Sequence, residues 1–141
     1  MHLRQLCCDD SMKDVNLIAD QIGVFASSAC ALHCLLVPVL LVAGVALPAS
    51  FLDEEVMHQA LLFLVLPAAL VAFGIGCWRH KDLWVLSLGI VGIVGISAAA
   101  LLHENLGELM ERILTLTAAS ALITAHIRNY RLCRSGNCNE E

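Results

Sequence analysis

Four stretches of the chain carry almost no charge, and polar or charged residues bound each of them. Residues 21–52, 56–78 and 83–102 contain no Asp, Glu, Lys or Arg, and a fourth run over 113–127 is continued on its N-terminal side by Leu106, Leu109 and Met110. A helix rises about 1.5 Å per residue, so about 20 mostly apolar residues cross the roughly 30 Å of bilayer hydrocarbon. The pattern therefore predicts spans over 21–47, 56–77, 83–102 and 107–130, followed by a cysteine-bearing tail over 131–141. No period of 20 to 50 residues repeats, and no Gly/Ser-rich or Pro-rich linker divides the chain. The expectation is one all-α domain over 1–141, an integral membrane four-helix bundle. Residues 1–14 mix acids with bases, and the first apolar run is too long for a signal-peptide core, so the first span is expected to remain in the membrane.

Composition sharpens this. Hydrophobic residues make up 59% of the 141 and charged residues 15%, with a mean hydropathy of +0.79, whereas an ordinary soluble domain carries about 25% charged residues. A net charge of -5, with only eight dispersed Lys and Arg, argues against nucleic acid as a partner. Those eight cations also set an orientation, because Lys and Arg in short loops stay on the cytoplasmic side. Arg4, Lys13, Arg79, Lys81, Arg128, Arg131 and Arg134 fall on one side of four spans and Arg112 alone on the other, beside Glu54, Glu55, Glu104, Glu108 and Glu111. Both termini are expected in the cytoplasm, an arrangement that four spans satisfy and three do not.

Helices in lipid associate through small residues that admit close approach. Gly89, Gly92 and Gly95 on the third span and Thr117, Ala121 and Ala125 on the fourth have the required spacing. Pro38 and Pro67 remove backbone donors that would bond the carbonyls of Cys34 and Phe63.

Seven Cys and six His carry the candidate chemistry. None of the cysteines falls in an expected outer loop, which favours reduced thiols over a disulfide framework. Cys30, His33 and Cys34 stand at i, i+3, i+4, a spacing that puts two thiols and an imidazole on one helix face within the membrane. Such groups ligate soft or borderline metals, and ionisable groups inside a membrane mark function. His58 on the second span and His103 with Glu104 after the third are expected at the outer surface, where acidic loops concentrate cations. His126 lies near the inner end of the fourth span. Cys133 and Cys138 follow it in Cys-Arg-Ser-Gly-Asn-Cys, where both thiols can close on one ion. Outer His and Glu, mid-membrane Cys and His, then inner thiols form a ladder suited to passing a thiophilic ion by ligand exchange.

The segment from Ser28 through Cys30, His33, Cys34 and Pro38, the Trp78-Arg79-His80 segment and the Cys133 to Cys138 tail resemble the MerC family of mercury-resistance membrane proteins. The resemblance runs from about residue 20 to 138. It implies a four-span carrier in the bacterial inner membrane that moves mercuric ion toward the cytoplasm, where a mercuric reductase or another thiol acceptor receives it. It also implies an intramembrane relay at Cys30 and Cys34 and a cytoplasmic one at Cys133 and Cys138. The metal is then cargo, with no tightly bound cofactor expected; membrane lipid is the surrounding partner, and a homo-oligomer is compatible with such a bundle.

Two other readings share these residues. The mixed Cys, His and Glu set also suits Zn²⁺, which accepts sulfur, nitrogen and oxygen together, and a membrane sensor binds metal without flux. An enzyme is not expected: the chain has no nucleophile with its base, no Gly-rich phosphate loop and no CxxC motif. A heme between His58 and His103 is disfavoured by the 5% aromatic content, too little to seat a porphyrin.

Overall fold

The computed structural model describes residues 10–46, 48, 54–80, 82–102 and 105–135. Four helices follow one another among them, α1 Asp10–Val42, α2 Glu54–His80, α3 Leu83–Leu101 and α4 Glu108–Ser135, with no strand. The all-α expectation holds. The expected ends of α2 and α3 agree to within a few residues, but α1 starts at Asp10 rather than residue 21, and α4 runs to Ser135 rather than 130. Both extensions lie at the same end of the bundle and pack on each other, Asn16 donating to the Cys133 sulfur at 2.8 Å. Absence of charge located the apolar runs, whereas a helix continues for as long as its polar groups find partners. At its other end α1 stops short of residue 47. Gly44 takes φ 74°, and the N–H groups of Gly44 and Val45 donate to the carbonyls of Leu41 and Leu40, both at 3.0 Å. This is a Schellman cap, which needs a left-handed residue that Gly supplies without strain.

α4 packs along α1 on one side and α3 on the other, and α2 closes the bundle mainly against α1. The glycine stripe on α3 works as expected. An added Cβ would lie 2.7 Å from the Phe73 ring at Gly89, 2.5 Å from Leu122 Cγ at Gly92 and 2.9 Å from Ala118 Cβ at Gly95. The facing stripe on α4 differs from the expected one: Ala118, Leu122 and Ala125 are buried, whereas Thr117 is exposed and bonds back to the Ile113 carbonyl at 2.7 Å. Ser120 and Thr124 do the same with Leu116 and Ser120. These bonds satisfy each hydroxyl within its own helix, so it can face an apolar surround.

Polarity is distributed inside out. Phe25 is 74% exposed, Phe63 85% and Val94 62%, while Asn16, Asp20, His126 and Asn129 are fully or almost fully buried. A protein in water does the reverse. α1 over Lys13–Val42 and α3 over Leu83–Leu101 are long and apolar enough to cross a membrane, and α2 contains a shorter apolar segment, Gln59–Gly74.

Asp82 ties the α2–α3 connection to α4. Its Oδ1 caps α3 by accepting from the backbone N–H groups of Trp84 at 2.9 Å and Val85 at 3.2 Å, and its Oδ2 accepts from Arg128 Nε at 3.0 Å and Nη2 at 2.9 Å. The Arg128 guanidinium, helped by the two backbone donors, holds this carboxyl below its ordinary range. A depressed carboxyl stabilises the fold above its unfolded-state value, about 3.9, and loses that contribution as pH falls through the folded one. Asp82→Ala is thus expected to lower the thermal unfolding temperature at neutral pH, with the gap from the parent protein closing only below about pH 4. Asp82→Asn, which keeps a cap but loses charge pairing, should fall between them when unfolding is followed by circular dichroism across pH.

Candidate functional site

The buried face of α1 carries Asn16, Asp20, Gly23, Ser27, Cys30 and Cys34, and that of α4 carries Thr115, Ala119, Leu122, His126, Asn129 and Cys133. Both sets step by alternating intervals of three and four, which keeps each on one stripe of its helix. The two stripes meet antiparallel and form a seam with little of the usual aliphatic filling.

Cys30 and Cys34 lie in this seam, 0% and 4% exposed, on successive turns of α1 where i, i+4 side chains are neighbours. α1 continues unbroken past Pro38, whose ring removes the N–H that would otherwise bond the Cys34 carbonyl. His33 sits at the flank of the stripe and is half-buried. Among the described residues no three His, Cys, Asp or Glu side chains are grouped to hold a metal ion together. None of Cys30, Cys34 and Cys133 is in a disulfide.

Two turns along α1 from Cys30, His126 reaches across from α4. Its Nδ1 lies 2.9 Å from Asp20 Oδ1, and Asn129 Nδ2 donates to Asp20 Oδ2 at 2.8 Å and to the Ala72 carbonyl of α2 at 3.1 Å. All three side chains are 0–1% exposed. In the tautomer that directs an Nδ1–H at Asp20 Oδ1, Nε2 carries a lone pair. That Nε2 is buried and has no hydrogen-bond partner. Phe73 of α2 covers the ring face, with centroids 4.5 Å apart, so three helices converge on one imidazole. The seam ends at Asn16 and Cys133.

Of the expected ligands, the structure thus brings Cys30 and Cys34 together and sets His126 and Cys133 below them on the same seam. Cys133 is not part of a polar tail. It sits on the last turn of α4, 4% exposed, because that helix continues past Tyr130 against α1. His103, Glu104 and Cys138 lie outside the described residues, as does the side chain of His58, whose backbone belongs to α2. Asp20, Asn129 and Asn16 are the residues that a search for charge-free runs passes over. Their signal is the stripe itself, since Asn16 and Asp20 continue the three-four spacing of Cys30 and Cys34 and Asn129 that of His126.

Gly23 is the position at which α1 passes the imidazole. A Cβ there would fall 2.3 Å from both Cε1 and Nε2 of His126. The ring cannot swing away while Asp20 holds Nδ1 and Phe73 covers its face. Gly23→Ala is expected to lower unfolding stability by about 2 kcal/mol, as overpacking of a tight interior does. Gly74→Ala, where an added Cβ meets nothing within 4 Å, should be neutral or slightly stabilising. Parallel denaturation in one detergent checks both.

No curated protein and no solved structure matches the chain. The MerC mercury resistance protein family matches residues 20–131, a range that begins at the buried carboxylate of Asp20 and takes in Cys30, Cys34, His126 and Asn129. The chain belongs to the MerC family, membrane proteins associated with mercury resistance.

Proposed function

We propose that the protein carries mercuric ion across the bacterial inner membrane toward the cytoplasm by ligand exchange along the α1–α4 seam, with all four helices spanning the bilayer. The buried Cys30–Cys34 pair carries this reading. Mercuric ion is satisfied by two thiolates, whereas zinc requires four ligands in a tetrahedron, and no third His, Cys, Asp or Glu joins the pair among the described residues. Each mercury–sulfur bond formed releases the thiol proton, so the ion is loaded as a neutral dithiolate, a species that apolar surroundings tolerate. His58, His103 and Glu104 are proposed to gather cations at the outer surface, and Cys133 with Cys138 to hand the ion to a mercuric reductase or another cytoplasmic thiol. The cations at the end where α1 begins and α4 ends, Lys13, Arg128, Arg131 and Arg134, support the inward direction.

Distance supports a station between the thiols. Fourteen residues separate Cys30 from Asn16, the partner of Cys133, a rise of about 21 Å that one thiol-to-thiol exchange does not span. His126, packed on Gly23, lies midway. Its free Nε2 is the nitrogen a passing ion can engage, with Asp20 orienting the ring as carboxylates orient metal-binding histidines.

Uptake of Hg²⁺ and Zn²⁺ into sealed vesicles, measured side by side, tests the proposal. Mercuric flux well above that of zinc is expected. Zinc flux without mercury preference assigns the seam to a borderline divalent cation, and metal binding with no flux of either ion makes the protein a sensor.

A further inference from the structure

Between the first half of α1 and the last turns of α4, on the outside of the bundle, lies an open groove of about 960 Å³. Val24, Phe25, Ile127 and Tyr130 form its walls, and Arg131 and Arg134 lie toward its α4 end. Phe25 is 74% exposed there, continuous with the apolar outer surface of the helices. The acid in the lining, Asp20, is fully buried, with one oxygen at His126 and the other taken by Asn129. Neither guanidinium pairs with a carboxylate among the described residues, whereas Arg128 and Arg112 pair with Asp82 and Glu108. The groove thus joins an apolar channel to two cations, one helical turn apart, that no carboxylate compensates among the described residues.

We propose that this groove binds one anionic phospholipid of the cytoplasmic leaflet, an assignment of side that rests on the orientation proposed above. The acyl chain lies along Val24, Phe25 and Ile127. Tyr130 stands at the level where hydrocarbon gives way to headgroups, as interfacial aromatic residues do. The phosphate sits against Arg131 and Arg134, whose planar donors match its oxygens. A zwitterionic headgroup brings its own ammonium and leaves the arginine pair uncompensated, so the site selects for net negative charge. A bound lipid also covers the outer side of α1 at the level of Asp20, sealing the buried Asp20–His126–Asn129 cluster from interfacial water.

Native mass spectrometry of the full chain in neutral detergent, with equal phosphatidylglycerol and phosphatidylcholine, tests this without any metal. The parent protein is expected to retain phosphatidylglycerol preferentially, with about a fivefold contribution from each guanidinium. Arg131→Gln/Arg134→Gln should bring the ratio of the two lipids to near one, and Arg131→Lys/Arg134→Lys should restore part of it. Phe25→Ala/Ile127→Ala should weaken both lipids and leave their ratio unchanged. Arg4→Gln/Lys13→Gln removes as much charge from the same side and should keep the preference. The proposal is overturned if the parent shows no preference, if the preference survives the double Gln variant, or if the Arg4/Lys13 control abolishes it equally. It is likewise overturned if a preference emerges only after Glu140→Gln/Glu141→Gln, since the chain's own tail would then be the occupant. Lipid selectivity and metal flux are read separately, so failure of one leaves the other standing.

Discussion

Replacing Cys30 and Cys34 together by Ser is expected to reduce mercuric uptake into sealed vesicles to the background of protein-free lipid. A hydroxyl nearly matches a thiol in shape and can bond back to a carbonyl of its own helix, so the α1–α4 seam should close as before. What it lacks is softness, since oxygen does not compete for an ion that selects thiolate. Removing partners that only orient a metal ligand already costs 10- to 100-fold, and loss of both ligands should exceed about a hundredfold. Each single variant retains one thiolate and should fall between, binding mercury more weakly. Equal helicity and equal unfolding temperature in the double variant show that chemistry rather than folding is lost. Persistent flux would remove the cysteine pair from the path and sink the relay.

The helices were legible because their signal is composition. In α3, Leu83 to Leu101 carries no charged residue, and lipid-facing sides need no amphipathic period to betray them. The cysteine pair was legible as well, from an i, i+4 spacing that any helix turns into contact. The path below it was not. Asp20 bounds the first charge-free run, so a pattern of charge leaves it outside the span. Yet it is fully buried, because α4 supplies donors from His126 and Asn129 that replace water. Cys133 falls in the expected cysteine-bearing tail that ends in a Gly-Asn turn, although Arg131 and Arg134 leave the opposite face of the same helix free to pack. Thr117 read as a contact residue by its size, whereas its bond to the Ile113 carbonyl lets it face outward. In each case the deciding fact was a partner more than 100 residues away or a bond within one turn, and neither leaves a mark in a hydropathy pattern.

The seam also differs from ordinary core packing in what it leaves unsatisfied. Ser27 Oγ and His126 Nε2 are buried without hydrogen-bond partners, and each such group costs about 1–3 kcal/mol. A bundle built for stability alone would fill these positions with aliphatic side chains. Their presence between the Cys30–Cys34 pair and Cys133 supports the proposed path, in which weak engagement at several points is preferable to tight binding at one.

Asp20→Ala is expected to be the most destabilising single change in the seam. It strips the acceptor from the His126 ring and from Asn129 at once, in a site that no water reaches. Removing one member of a buried polar pair commonly costs 3–5 kcal/mol, so a loss of about 4 kcal/mol is expected in chemical denaturation in micelles. Asp20→Asn separates structure from positioning. Its amide oxygen can still accept the Nδ1–H, whereas its NH2 then faces the Asn129 donor, so only part of the stability should return; a neutral amide also orients the ring less firmly and leaves Nε2 a poorer ligand. Flux in the Asn variant is then expected to fall about 10- to 100-fold at a stability between those of the parent and the Ala variant. The double variant Asp20→Ala/His126→Ala should be less destabilised than the sum of its singles, because the imidazole left stranded by the first change is removed by the second. Additive losses would mean that the two side chains do not act on each other, and unchanged flux in the folded Asn variant would leave Asp20 a structural residue alone.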